Sequence, residues 1–261
     1  MEKRIQKLIL LLLLIVSPLF AQTPSNVELI RLPLWASLDA YPDLQGLFED
    51  KNEAEDLEED LQEEGESAES EDLQVEKESF TEAESIFSYP VSQLKKTAPF
   101  IISGMVYGWN FVYVPSDKAR GVEEYFEVTE IQSFEPFENL INYTKPTIED
   151  TLRLHCWCEY KRDKYQLQNY SLWNAIQHPV IRGRGYGKVS DGFEGYKNAA
   201  KDALKNAVRE HYRKIVKNKP KEITGSVLIK DIPVTGVVSG KYVINLDFFL
   251  EYGRIIEYST Y

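Results

Sequence analysis

Histidine, methionine and cysteine are scarce in this 261-residue chain, at three, two and two residues, and the scarcity removes several kinds of chemistry. Two cysteines cannot staple a small disulfide scaffold. Cys156 and Cys158 lie two apart on an apparent strand, so both thiols point to one face with their Cα atoms about 6.5–7 Å apart, at or beyond the reach of an unstrained disulfide. Buried free thiols are expected, with an intermolecular or redox-labile thiol as the alternative. His155, His178 and His211 fall in no nucleophile or metal motif, and His155 sits on the strand face opposite the cysteines. A zinc ion would need two further ligands that no nearby spacing supplies. No catalytic, cofactor-binding or metal-ligating residue is therefore predicted. Paired carboxylates for glycoside hydrolysis have no motif either, although such partners can lie far apart along a chain. Solenoid and coiled-coil periods are absent, and past residue 21 no apolar run approaches the ~20 residues that a membrane-spanning helix needs.

What is present begins with a leader. Lys3, Arg4 and Lys7 precede an apolar stretch over residues 8–16, and Pro18 stands just before a small-residue site at Ala21. This order predicts a secretory signal peptide over residues 1–21. No cysteine sits near the cut, so lipid attachment is not expected, and the mature protein is expected in the periplasm or outside the cell. Charge is segregated next. The net charge is -12, yet residues 49–84 alone hold 18 carboxylates and two lysines. The remainder of the mature chain is mildly basic, and such asymmetry points to electrostatic partners more than to fold. Residues 22–48 carry a short apolar patch with Trp35, Pro33 and Pro42, read as a strand or turn that docks on the body. Residues 49–86 are too poor in apolar side chains to offset an ordering cost of about 1–2 kcal/mol per residue, and read as an acidic disordered linker.

The body, residues 87–261, reads as an α+β domain: an antiparallel sheet with one principal helix packed on one face. Residues 100–114 read as an extended strand, apolar on both faces, returning antiparallel through residues 123–131. Leu154, Cys156, Cys158 and Tyr160 alternate with His155, Trp157 and Glu159 as in a half-buried strand. A helix spans residues 192–217, where Tyr196, Ala200, Ala203, Leu204, Ala207 and Val208 recur at three- and four-residue steps. Two strands follow. The first covers residues 227–234, and the second alternates Tyr242, Ile244, Leu246, Phe248, Leu250 and Tyr252 after a turn at Ser239 and Gly240.

Ahead of that helix, Gly183, Gly185 and Gly187 occupy one side of a strand and Arg182, Arg184, Tyr186 and Lys188 the other. The helix presents Ala199, Ala203 and Ala207. Glycine inside a strand often marks a close backbone approach, so the helix is expected to rest on the glycine side. A phosphate-binding reading of these glycines fails on their spacing. The run over residues 179–217, with its glycine-dotted strand, alanine-spaced helix leading into Arg209 and following paired strands, resembles a domain of small bacterial outer-membrane lipoproteins and of flagellar outer-membrane-ring proteins. The resemblance covers about residues 179–250. It implies an α+β envelope domain without catalytic residues, used in assembly at the outer membrane, and the missing lipidation cysteine departs from the lipoprotein members.

Two surfaces are candidates for binding. Lys197, Lys201, Lys205, Arg209, Arg213 and Lys217 recur every four residues and so form a stripe that drifts about 40° per repeat around the helix. With Arg182, Arg184 and Lys188 they form the predicted surface for an anion or partner, either an envelope protein or an anionic envelope polymer. Nucleic acid is not expected for an exported chain. The acidic linker is a candidate mask for these cations. The alternative function is a glycan- or peptidoglycan-binding module that stacks sugars on Trp109, Phe111 and Tyr113. Cross-strand packing accounts for the same aromatic stripe.

Overall fold

A computed structural model of the chain describes residues 25–38, 87–149 and 153–258. The predicted leader and the whole of the predicted acidic linker lie outside the described residues. The fold is α+β, with ten strands in two antiparallel sheets and three helices longer than one turn among the described residues.

A helical turn at Ser25–Glu28 leads into β1 (Leu29–Ser37). Helix α1 (Ser88–Val106) comes next, then β2 (Trp109–Val114) and β3 (Tyr125–Glu130). The short strands β4 (Asn142–Tyr143) and β5 (Thr147–Glu149) precede β6 (Arg153–Lys161) and helix α2 (Lys164–Trp173). Then come β7 (Val180–Lys188), helix α3 (Gly192–Ile215), β8 (Glu222–Ile229), β9 (Val234–Val238) and β10 (Lys241–Ile256). The larger sheet has the order β3-β2-β8-β10-β7, with β9 also on β10. The smaller one places β1, β4 and β5 around β6. Strand β1 pairs with β6 along its whole length, Leu29 opposite Lys161 through Ser37 opposite Arg153. The apolar patch after the leader is thus a sheet strand. Its alternation buries Ile30, Leu32, Leu34 and Ala36 beside Leu154, Cys156, Cys158 and Tyr160 of β6.

Three expectations need correction. Residues 100–114 are not one strand: α1 runs to Val106, Gly108 turns the chain at φ 88°, and only Trp109–Val114 is extended. The cause is burial. Residues 97–106 of α1 are all buried, because the helix packs on β1 of one sheet and β8 of the other and also meets α3. A helix enclosed on every side has no polar face, and its apolar run cannot be told from a doubly buried strand by period alone. There is accordingly more than one principal helix, since α1 has 19 residues and α2 another ten. Residues 227–234 also divide, β8 ending at Ile229 and β9 starting at Val234 around a turn that contains Asp231 and Pro233.

The expected turn before β10 is present, with Ser239 and Gly240 both at positive φ. Tyr242, Ile244, Leu246, Phe248 and Leu250 then point into the core. Alternation fails at Val243 and Phe249, which are buried as well, and at Tyr252, which is exposed; at Phe249 the cause is α2, which covers that spot on the opposite face with Trp173 and Tyr170 against Leu228 and Phe249.

Candidate functional site

The site is built on the contact between β7 and α3. A Cβ placed on Gly183 would fall on the carbonyl oxygen of Ala203, one on Gly185 on the Ala199 carbonyl and the Ala203 nitrogen, and one on Gly187 on the Gly195 carbonyl. The helix backbone lies directly on the strand, and no other residue type fits under it. Ala199, Ala203 and Ala207 complete the contact, each at most 1% exposed. Strand β7 is the sheet's edge, and α3 covers that edge with side chains: Tyr186 N donates to Asp202 Oδ2 at 3.2 Å, and Asn206 Nδ2 donates to the Arg184 carbonyl at 2.9 Å. Edge backbone groups left open invite pairing with another chain.

This packing fixes where the cations go. Lys197, Lys201, Lys205 and Arg209 are half-buried along the outer side of α3, and Arg213 is exposed. Lys197 lies 3.9 Å from Glu194 and Lys205 3.0 Å from Asp202, both on the same helix. Lys201 has no ion-pair partner among the described residues. Arg182, Arg184 and Lys188 are exposed too, but they point to the sheet face away from α3, where Arg182 pairs with Asp247 of β10 at 2.9 Å and Arg184 lies over the Tyr186 ring. The predicted surface is therefore two surfaces, back to back across β7.

At the C-terminal end of α3 the stripe runs into a groove of about 350 Å³, bounded by the helix, the turn after β2 and the start of β8. Arg209, Arg213, Lys217 and Lys219 line it, with Glu124 as the one carboxylate among the lining residues. Tyr113 Oη donates to Glu124 Oε1 at 2.9 Å, and Arg209 Nη1 stands 3.7 Å from the same oxygen. Arg209 Nη2 also donates to Asn206 Oδ1 at 2.7 Å, and Lys219 Nζ to the Ser116 carbonyl at 2.7 Å. Burial and the neighbouring Glu124 push the Tyr113 phenol well above its ordinary range. Tyr212, 3% exposed, forms part of the wall, and its hydroxyl has no hydrogen-bond partner among the described residues. Sequence reasoning found Arg209, Arg213 and Lys217 by their four-residue step. It missed Glu124, Lys219 and Tyr212 because only the tertiary fold brings the turn after β2 to the end of α3.

The sugar-stacking candidates are core residues. Trp109, Phe111 and Tyr113 are 0%, 2% and 4% exposed, and Trp109 stacks on Phe100 of α1 with ring centroids 4.8 Å apart. Phe100 of α1 covers Trp109 and Phe126 of β3 packs on Phe111 and Tyr113, so the three rings present no open stacking face. Both thiols are free and buried among the described residues; burial pushes Cys156 up to about 12 and raises Cys158 further. His155 packs edge-on against Trp157, and His211 Nε2 lies 2.9 Å from Tyr252 Oη. Among the described residues no group of three or more His, Cys, Asp or Glu is placed to hold a metal ion. No described helix is long and apolar enough to cross a membrane.

Comparison with known proteins found no solved structure that matches the chain. A protein of Treponema pallidum (strain Nichols), called an uncharacterized protein, is 32% identical over 180 residues, covering 69% of this chain and 75% of that protein. Residues 16–258 match the model of a family of uncharacterized proteins, and with a match of that extent the chain belongs to that family.

Proposed function

We propose that this chain is exported to the bacterial cell envelope and works there without catalysis, in assembly or scaffolding, with the outer side of α3 as its contact surface. The observation that carries this reading is the seating of α3. Backbone-to-backbone packing on β7 commits the small residues inward and leaves Lys197, Lys201 and Lys205 on the outer side, where the first pairs with Glu194 and lies over the Phe193 ring and the last pairs with Asp202, all within the same helix. Such intrahelical pairs contribute only a few tenths of a kcal/mol and exchange readily for an external acidic partner. The segregated charge of the chain and the leader over residues 1–21 supply the setting, and the partner is an acidic protein surface of the envelope.

A photo-crosslinking residue in place of Lys201, activated in intact cells, tests this. A defined protein neighbour is expected, with its adduct lost in the Lys197→Glu, Lys205→Glu background, while the purified protein stays in the supernatant when mixed with isolated sacculi. Absence of protein adducts together with pelleting on sacculi would replace the scaffold with a polymer-binding module.

A further inference from the structure

We propose that the groove at the C-terminal end of α3 is a binding site for a phosphate monoester. It shares Arg209 and Arg213 with the surface described above but needs no protein partner to operate. Its volume of about 350 Å³ falls at the lower end of the 300–1,000 Å³ typical of small-ligand pockets. Four cations line it, Arg209, Arg213, Lys217 and Lys219, against the single carboxylate of Glu124. The end of α3 offsets part of this excess, since a helix C-terminus carries roughly half a negative elementary charge. About two and a half positive charges remain uncompensated, more than a monoanionic carboxylate neutralises and close to what a phosphate dianion brings.

The donors suit that group. Arg209 and Arg213 are one helical turn apart, and the planar guanidinium fork matches phosphate oxygens in bidentate fashion. Arg209 spends one nitrogen on Asn206, and its contact to Glu124 is long at 3.7 Å. Lys219 is held in place by one bond to the Ser116 carbonyl, leaving ammonium protons for a second acceptor. Tyr212 forms part of the wall beside Arg209 and Arg213. Pro115, Val216, Pro220 and Ile223 add apolar wall for the organic part of the ester. The ester is either a lipid headgroup or a free soluble phosphoester, and the recognition chemistry is common to both.

Calorimetric titration of the full chain with glycerol 3-phosphate at low ionic strength, with acetate as the comparison anion, tests the proposal. One saturable site is expected, at least tenfold tighter for glycerol 3-phosphate than for acetate and weakened at least tenfold in Arg209→Gln, Arg213→Gln. Should that variant fail to fold, Lys217→Gln, at an exposed lining position with no described ion pair, is expected to weaken binding at least threefold. Flotation with phosphatidylcholine vesicles containing phosphatidic acid then separates the sources. Retention that glycerol 3-phosphate competes away assigns the headgroup, and absence of retention assigns a soluble ester. The proposal is overturned by no binding of glycerol 3-phosphate, by binding no tighter than acetate, or by an equal loss in Lys197→Gln, Lys201→Gln, which would reduce the effect to net charge.

Discussion

Arg162 is the one buried arginine or lysine among the described residues, 3% exposed, and no carboxylate accompanies it. Its partners are carbonyls: Nη2 donates to Met105 at 3.0 Å and Nη1 to Val27, with the guanidinium 4.8 Å from the Tyr170 ring. Met105 belongs to the last turn of α1, whose orphan carbonyls and negative end need donors, and Asn169 Nδ2 serves Val106 there at 3.1 Å. Burial lowers the arginine to about 10. Arg162→Ala is expected to cost about 2–4 kcal/mol in urea unfolding, from carbonyls left buried and unpaired and from lost packing. The sequence carried no sign of this role, since Arg162 lies 57 residues from Met105 and 135 from Val27. His211 is the residue whose titration is visible near neutrality. Burial, and Lys214 beside it, hold its pKa below the ordinary 6.5. As pH falls through 6.5 the unfolded chain takes up a proton that the folded one refuses, so stability declines and then levels off once both forms are charged. Unfolding midpoints measured over that range should show the decline in the parent and a flatter profile in His211→Gln.

Among the elements, those that were legible in the sequence are those with one wet face. β6, α3 and β10 keep a two- or 3.6-residue rhythm because solvent meets one side, and the glycine and alanine positions of β7 and α3 showed which sides touch. Helix α1 was illegible because two sheets enclose it, so the solvent contrast that creates a rhythm is missing. Burial under Phe100 of α1 and Phe126 of β3 turned Trp109, Phe111 and Tyr113 from a candidate platform into core. Strand β7 supplies the sharpest test at this scale. Gly185→Ala sets a methyl carbon on the α3 backbone, which cannot rotate aside as a side chain can, and is expected to cost at least about 3 kcal/mol in urea unfolding. Gly236→Ala on β9, where a Cβ meets nothing within 4 Å, should stay within about 0.5 kcal/mol of the parent.

The chain as a whole combines an acidic stretch of sequence, residues 49–84, with cations on both sides of β7. Charges of opposite sign on one chain meet at high effective concentration, and surface attraction fades beyond about 8 Å at physiological salt. Deleting residues 50–84 is expected to tighten binding to anionic liposomes severalfold at low salt and little at high salt, measured by cosedimentation; unchanged binding at low salt would remove masking from the account. The central claim is that the outer side of α3 is solvent-facing in the isolated protein and occupied in the envelope. Amine-reactive footprinting of purified protein and of intact cells measures this directly. Lys201 and Lys205 are expected to label readily when purified and to be protected severalfold in cells, while Lys188 on the far side of β7 labels alike in both. Equal labelling of Lys201 in the two settings would contradict that claim.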